Sequence, residues 1–230
     1  MQSAALLPDV HWPRRLARRI GTYWPIKMTA NIVGIAVFFA VYFRVLHLPH
    51  PDVTVMPVTA IDRWIAFEPA AFVPYASLWL YISLPLALLR TRRELVSYGL
   101  AAFALSALAM SAFVLWPTAV PRFADVDAAA HAAIGLLKSL DAGTNACPSL
   151  HVAFAVFSAA WLDRLLREMT AGSALRTLNL AWCLAILYST MATRQHVLLD
   201  VLAGGALGAA VVALQLRLLD AGARRTAAPR

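Results

Sequence analysis

The amino-acid sequence predicts an all-α fold, a polytopic membrane protein built as a six-transmembrane-helix bundle, and three observations carry that prediction. Hydrophobic residues make up 61% of the 230-residue chain and charged residues only 14%, against roughly 45–50% and about 25% in soluble domains. That balance excludes a soluble globular enzyme and a disordered chain alike. Apolar runs long enough for a bilayer, about 20 residues each, recur with short connections that leave no room for a separate soluble domain. The basic residues behind the net charge of +8 fall in short clusters between those runs. They do not form an aromatic-interleaved patch, so nucleic acid is not an expected partner.

Taken in order, residues 1–27 read as a basic cytoplasmic segment holding Arg14, Arg15, Arg18, Arg19 and Lys27. The first span is expected over Met28–Leu46, and no cleavable signal peptide is expected before it. A loop rich in proline and histidine, His47–Pro57, leads to a short amphipathic piece, Thr59–Phe67, with Asp62 and Arg63 beside Trp64. That piece is too short to cross and reads as interfacial or re-entrant. The second span is expected over Phe72–Leu89, the third over Leu95–Trp116, the fourth over Ser149–Leu166, the fifth over Leu175–Ala192 and the sixth over His196–Leu219. Residues 28–219 thus form the membrane domain and residues 220–230 a basic cytoplasmic tail.

Orientation follows from the Lys/Arg asymmetry across short loops. With the amino terminus in the cytoplasm, 15 of the 20 Lys and Arg residues fall on the inside. Both termini are then cytoplasmic, and the Pro117–Pro148 loop and the Thr193–His196 junction face outward. A bacterial cytoplasmic membrane is the expected location. The two cysteines, Cys147 and Cys183, suggest neither a disulfide nor a zinc site.

The outward side gathers the chemically unusual residues. Three clusters, Trp116–Arg122, Asn145–His151 and Ser189–His196 continuing to Asp200, stand at the outer ends of different spans. His196 and Asp200 are four apart, hence on one helix face. A carboxylate at that depth needs a partner, and a histidine fixed by it is either a nucleophile or general base, or a structural hydrogen bond. Pro148 and Ser149 mark a helix start whose N–H groups suit an anion, with His151 one turn in as a proton donor or an interfacial residue. Arg122 and Arg194 are guanidinium forks for phosphate, or snorkelling residues. No carboxylate cluster suited to magnesium stands nearby, and neither metal nor cofactor is expected.

Pro148-Ser149-Leu150-His151 resembles the Pro-Ser-Gly-His motif of the type 2 phosphatidic acid phosphatase superfamily, with leucine for glycine. Ser189-Thr190, five residues, His196, three residues and Asp200 resembles that family's Ser-Arg/His/Asp motif, with threonine for arginine. At the family's first motif Leu115 stands at the lysine position and Pro121-Arg122 reverses Arg-Pro. The text Trp-Pro-Thr-Ala-Val-Pro-Arg and Thr-Arg-Gln-His is similar to the inositol phosphorylceramide synthase-like branch. The resemblance implies a metal-independent lipid phosphatase or phosphotransferase. In it His196 attacks phosphorus, Asp200 orients His196 and His151 protonates the leaving group, while Arg122, Ser149 and Arg194 bind phosphate. Its expected partners are a lipid phosphate substrate and membrane lipids. Two other classes stay open: an intramembrane serine protease using Ser149, which lacks the flanking glycines of a nucleophile setting, and a transporter or scaffold. Gly204 and Gly208 in the sixth span read as a close-packing face.

Overall fold

The computed structural model describes residues 12–49, 52–124, 135 and 143–227. Helices dominate. An amphipathic helix α1 (Trp12–Gly21) precedes α2 (Trp24–Leu46). A short strand β1 (Thr54–Val55) and a five-residue helix α3 (Ala60–Trp64) follow. The next helix, α4 (Pro69–Leu88), is broken into short segments; α5 (Arg92–Leu115) leads to strand β2 (Thr118–Ala119). The chain closes with α6 (Leu150–Glu168), α7 (Ser173–Ala192) and α8 (Leu198–Ala227).

Four of these helices, α2, α4, α5 and α8, are long and apolar enough to cross a membrane. The six-span expectation also counted α6 and α7, of 19 and 20 residues. Each matches an expected span within about two residues, yet α6 carries Asp163, Arg164, Arg167 and Glu168 near its end, which dilutes its apolar stretch. Those charges pair at one end of the bundle. Arg176 and Arg167 both reach Asp163 at 2.6 Å, Arg164 meets Asp220 at 2.9 Å, and Arg19 of α1 reaches Glu168 at 2.8 Å.

The centre of the bundle is α6, packed chiefly on α7 and α8. Trp161, Phe157, Leu165 and Val152 are fully buried there. Two glycines explain how closely α8 approaches. A Cβ at Gly204 would stand 2.3 Å from the Ser149 carbonyl oxygen, and one at Gly208 would stand 2.3 Å from that of Ala153. The expected packing face is therefore a backbone-on-backbone contact that starts at the head of α6.

Three local features depart from the expectation. Residues 12–21 of the basic segment form a helix, and Lys27 is buried within α2, its ammonium donating to the carbonyls of Arg19 and Ala87. The second span is interrupted because Pro74 and Pro85 lack the N–H that would bond the preceding turn. The Thr59–Phe67 piece does not stand apart. Thr59 caps α3 in a capping box with Asp62, whose side chain is almost wholly buried against the last loop of the chain.

Candidate active site

The three clusters meet through a small β ladder. β1 and β2 pair in parallel, Thr54 opposite Thr118, and Thr118 also bridges Asn145. The Thr118 hydroxyl accepts from the Cys147 N–H at 2.8 Å, and the Thr118 carbonyl accepts from Ala146 N at 2.9 Å. The Trp116–Arg122 cluster thus fixes the approach to Pro148 and the start of α6. Ser149 is the cap of that helix: its hydroxyl accepts from Val152 N, and its own N–H donates to the Asp200 carbonyl at 3.1 Å. Its side chain is fully buried and makes no hydrogen bond to either histidine among the described residues. That placement gives the serine-protease reading no activated nucleophile. Cys147 supplies none either. Burial, with the nearby Asp200 adding to it, pushes its thiol up to about 11, so it is protonated at neutral pH.

His151 and His196 line one cavity, of about 1160 Å³. The ring of His151 stacks on Tyr75 with centroids 4.0 Å apart and planes 11° apart. Its Nε2 lies 2.8 Å from the Tyr75 carbonyl. A carbonyl only accepts, so Nε2 carries a hydrogen and Nδ1 is left for a substrate. α4 breaks at Ser77, two residues after Tyr75.

His196 stands in the turn between α7 and α8. That turn is a Schellman closure: Arg194 N donates to the Met191 carbonyl and Gln195 N to the Thr190 carbonyl. The left-handed position usually taken by glycine is occupied by Arg194, at φ 57°. Asp200 is fully buried, and its Oδ2 accepts from Val197 N at 2.9 Å. His196 Nδ1 faces the same oxygen at 3.6 Å, beyond hydrogen-bond reach. Both His196 Nδ1 and Asp200 Oδ1 are buried without a partner among the described residues. Leaving the buried Nδ1 unsatisfied is costly, and a ring shift of roughly half an ångström would bond it to Oδ2; catalytic pairs often tighten only around substrate.

The other expected phosphate ligands are placed differently. Arg122 is exposed and does not line the cavity. Arg194 is 8% exposed and turns away from the cavity: its Nη1 donates to the Asp62 carbonyl at 2.9 Å, and its guanidinium lies 4.2 Å from the Phe123 ring centroid. Two amides do line it, Asn145 and Gln195, and Asn145 donates to the Tyr42 hydroxyl. Both stood in the quoted clusters, but an amide carries no charge signal that would single it out. In the sequence Asp62 stands only as part of an amphipathic piece. Among the described residues no group of three or more His, Cys, Asp or Glu side chains could hold a metal ion.

From the histidines the cavity runs between α2, α4 and α5, walled by Phe38, Phe39, Trp79, Phe103 and Met110. Its described lining includes no Lys, Arg, Asp or Glu. No curated protein and no solved structure matches the chain. The family profile described as the PAP2 superfamily matches residues 35–214, which takes in most of the cavity lining, both histidines and Asp200. The chain belongs to the PAP2 superfamily.

Proposed function

We propose that the protein is an integral membrane lipid phosphatase or phosphotransferase that works through a phosphohistidine on His196. Superfamily membership points to phosphatase or phosphotransferase chemistry. The observation that carries the finer reading is that His151 and His196 line one cavity, with buried Asp200 beside His196. His196 Nε2 attacks phosphorus, the P–N bond forming as the P–O bond to the lipid breaks. His151 enters this step as the imidazolium, its Nε2–H on the Tyr75 carbonyl, and the departing oxygen takes the proton from its Nδ1. Water, or an alcohol, then attacks the phosphohistidine and returns its proton to His151. Asp200 stabilises the imidazolium that develops. Asn145 and Gln195 supply amide donors to the phosphate, which Arg122 joins only by swinging in from outside the cavity lining. Arg194 is committed to the turn and Ser149 to the helix cap.

A lipid phosphate or pyrophosphate suits the rest of the cavity, because its walls are chiefly aromatic and aliphatic, with Asn31, Ser106 and Ser111 as uncharged polar exceptions. A second reading is head-group transfer, as in the inositol phosphorylceramide synthase-like branch. The uncharged lining favours it: a singly charged phosphodiester needs less compensation than a dianionic monoester. Incubating the purified protein with a panel of lipid phosphates and phosphodiesters, with and without inositol, separates the two. Released phosphate identifies hydrolysis, and a new phospholipid identifies transfer.

In this reading α6 and α7 also cross the bilayer, since 19 or 20 helical residues span about 30 Å. The site then lies on the extracytoplasmic side of a cytoplasmic membrane, with both termini inside. Cysteines introduced singly at Ala128 and Thr91, in a background lacking Cys147 and Cys183, test this. An impermeant thiol reagent should label the first and not the second in intact cells; labelling only at Thr91 would reverse the orientation. Nucleophile and acid are both histidines, so activity should also survive EDTA. A loss restored specifically by magnesium or manganese would contradict the mechanism.

A further inference from the structure

We infer that Asp62 is a positioning residue that clamps the His196 turn from both sides. The inference rests on the reading of His196 as the reacting group. The carboxylate is 2% exposed, and its Oδ1 accepts from the Leu198 backbone N–H at 2.7 Å, across 136 residues of sequence. Leu198 opens α8, and the first N–H groups of a helix have no partner within it. Asp200 satisfies Val197 from inside the same helix, and Asp62 satisfies Leu198 from a distant one. The helix that carries the nucleophile's partner is therefore capped from elsewhere in the chain.

The other side of the clamp is Arg194. Its Nη1 donates to the Asp62 carbonyl at 2.9 Å. Residues 194 and 198 flank His196 by two positions each, so Asp62 grips the chain immediately before and after the ring. Asp62 is itself held: its Oδ2 accepts from the Thr59 N–H and from the Thr59 hydroxyl, both at 2.7 Å. Downstream, Glu68 N donates to the Ala192 carbonyl at 2.9 Å, and upstream the buried Met56 packs with Val197. The 54–68 segment is thus fastened along the whole turn. The identity of residue 194 supports the assignment. Its backbone conformation favours glycine, yet the position holds an arginine whose guanidinium serves the clamp.

A clamp on the nucleophile alters the rate of attack more than substrate binding, and a misplacement of about 1 Å can cost about 100-fold. In D62A, kcat should fall by tenfold or more, since hydrogen bonds to charged groups weigh about that much. KM should stay within about twofold of wild type, because Asp62 does not line the cavity. In D62N the asparagine oxygen can still accept from Leu198 N, so part of kcat should return. R194G supplies the residue the turn prefers. It should keep the melting temperature and still lose kcat, whereas a purely structural role for Arg194 would leave kcat unchanged. A second readout needs no turnover. With Cys147 and Cys183 replaced, thiol labelling of Q195C should accelerate several-fold when D62A is added. Faster labelling in a protein inactive on every lipid phosphate would uphold the clamp while the functional reading fails. Unchanged labelling, or a D62A defect confined to KM, would overturn the clamp.

Discussion

Alanine at His196 should abolish turnover of every phosphate substrate, while alanine at His151 should abolish only that of substrates with poor leaving groups. The distinction comes from the two roles. A lipid alcohol is so weak an acid that its alkoxide leaves only if protonated, whereas nitrophenolate, with a conjugate acid of pKa about 7, departs with little help. Removing the acid therefore stops the alkyl phosphate and spares part of the aryl activity. Removing the nucleophile stops both. The structure adds a third arm. His151 is oriented by the Tyr75 carbonyl and stacked on the Tyr75 ring, so exchanging Tyr75 for leucine keeps the carbonyl and removes the stack. Its defect should resemble a weakened H151A, graded by leaving group. Equal losses on both substrates in a well-folded H151A protein would remove the acid assignment.

Alanine at Gly204 should cost about 100-fold in activity if the misplacement between the histidines reaches about 1 Å. The added carbon would stand 2.3 Å from the Ser149 carbonyl oxygen, a backbone atom that no rotamer change can move. Either α8 withdraws from α6 or the head of α6 shifts. Both movements separate His196 and Asp200 on one side from His151 on the other. Overpacking of this kind also destabilises by about 1–3 kcal/mol. G208A meets the Ala153 carbonyl at the same 2.3 Å, one turn further from the site, and should lose as much stability with a smaller loss of kcat. G205A is the control, because its Cβ would touch only a Val152 methyl at 3.9 Å. Wild-type behaviour of G204A, in both melting and turnover, would show that the contact does not hold the site together.

Much of this architecture was legible in the sequence because apolar runs and local spacing carry it. The third, fourth and fifth expected spans each begin within three residues of α5, α6 and α7. The nearness of His196 to Asp200 follows from their spacing, although His196 stands in the turn two residues before α8 and not on its first turn, and the Gly204/Gly208 face follows from theirs. Long-range partners left no such trace. Asp62 and Leu198 are 136 residues apart, and nothing in Thr59–Trp64 announces that its carboxylate caps another helix. Arg194 misled for a related reason: a cation two residues before a reactive histidine reads as a phosphate ligand, but the left-handed turn at residue 194 aims its side chain at Asp62 instead. Lys27 reads as the last residue of a basic cytoplasmic segment, whereas the backbone carbonyls of Arg19 and Ala87 let it be buried at the start of α2. Charge and hydropathy report what a residue costs to bury, not which distant group compensates it.

The most direct test of the account is acid-labile phosphate on His196 itself. Phosphorus-labelled substrate, mixed with the protein and quenched in alkaline denaturant within a single turnover, should leave label on one peptide containing His196. That label should be stable to base and lost in acid. It should accumulate in H151A with a good leaving group, provided water attack is the slower step there, and be missing in H196A. Label on Ser149, on Cys147 or on any other side chain, or full turnover by H196A, would contradict the account.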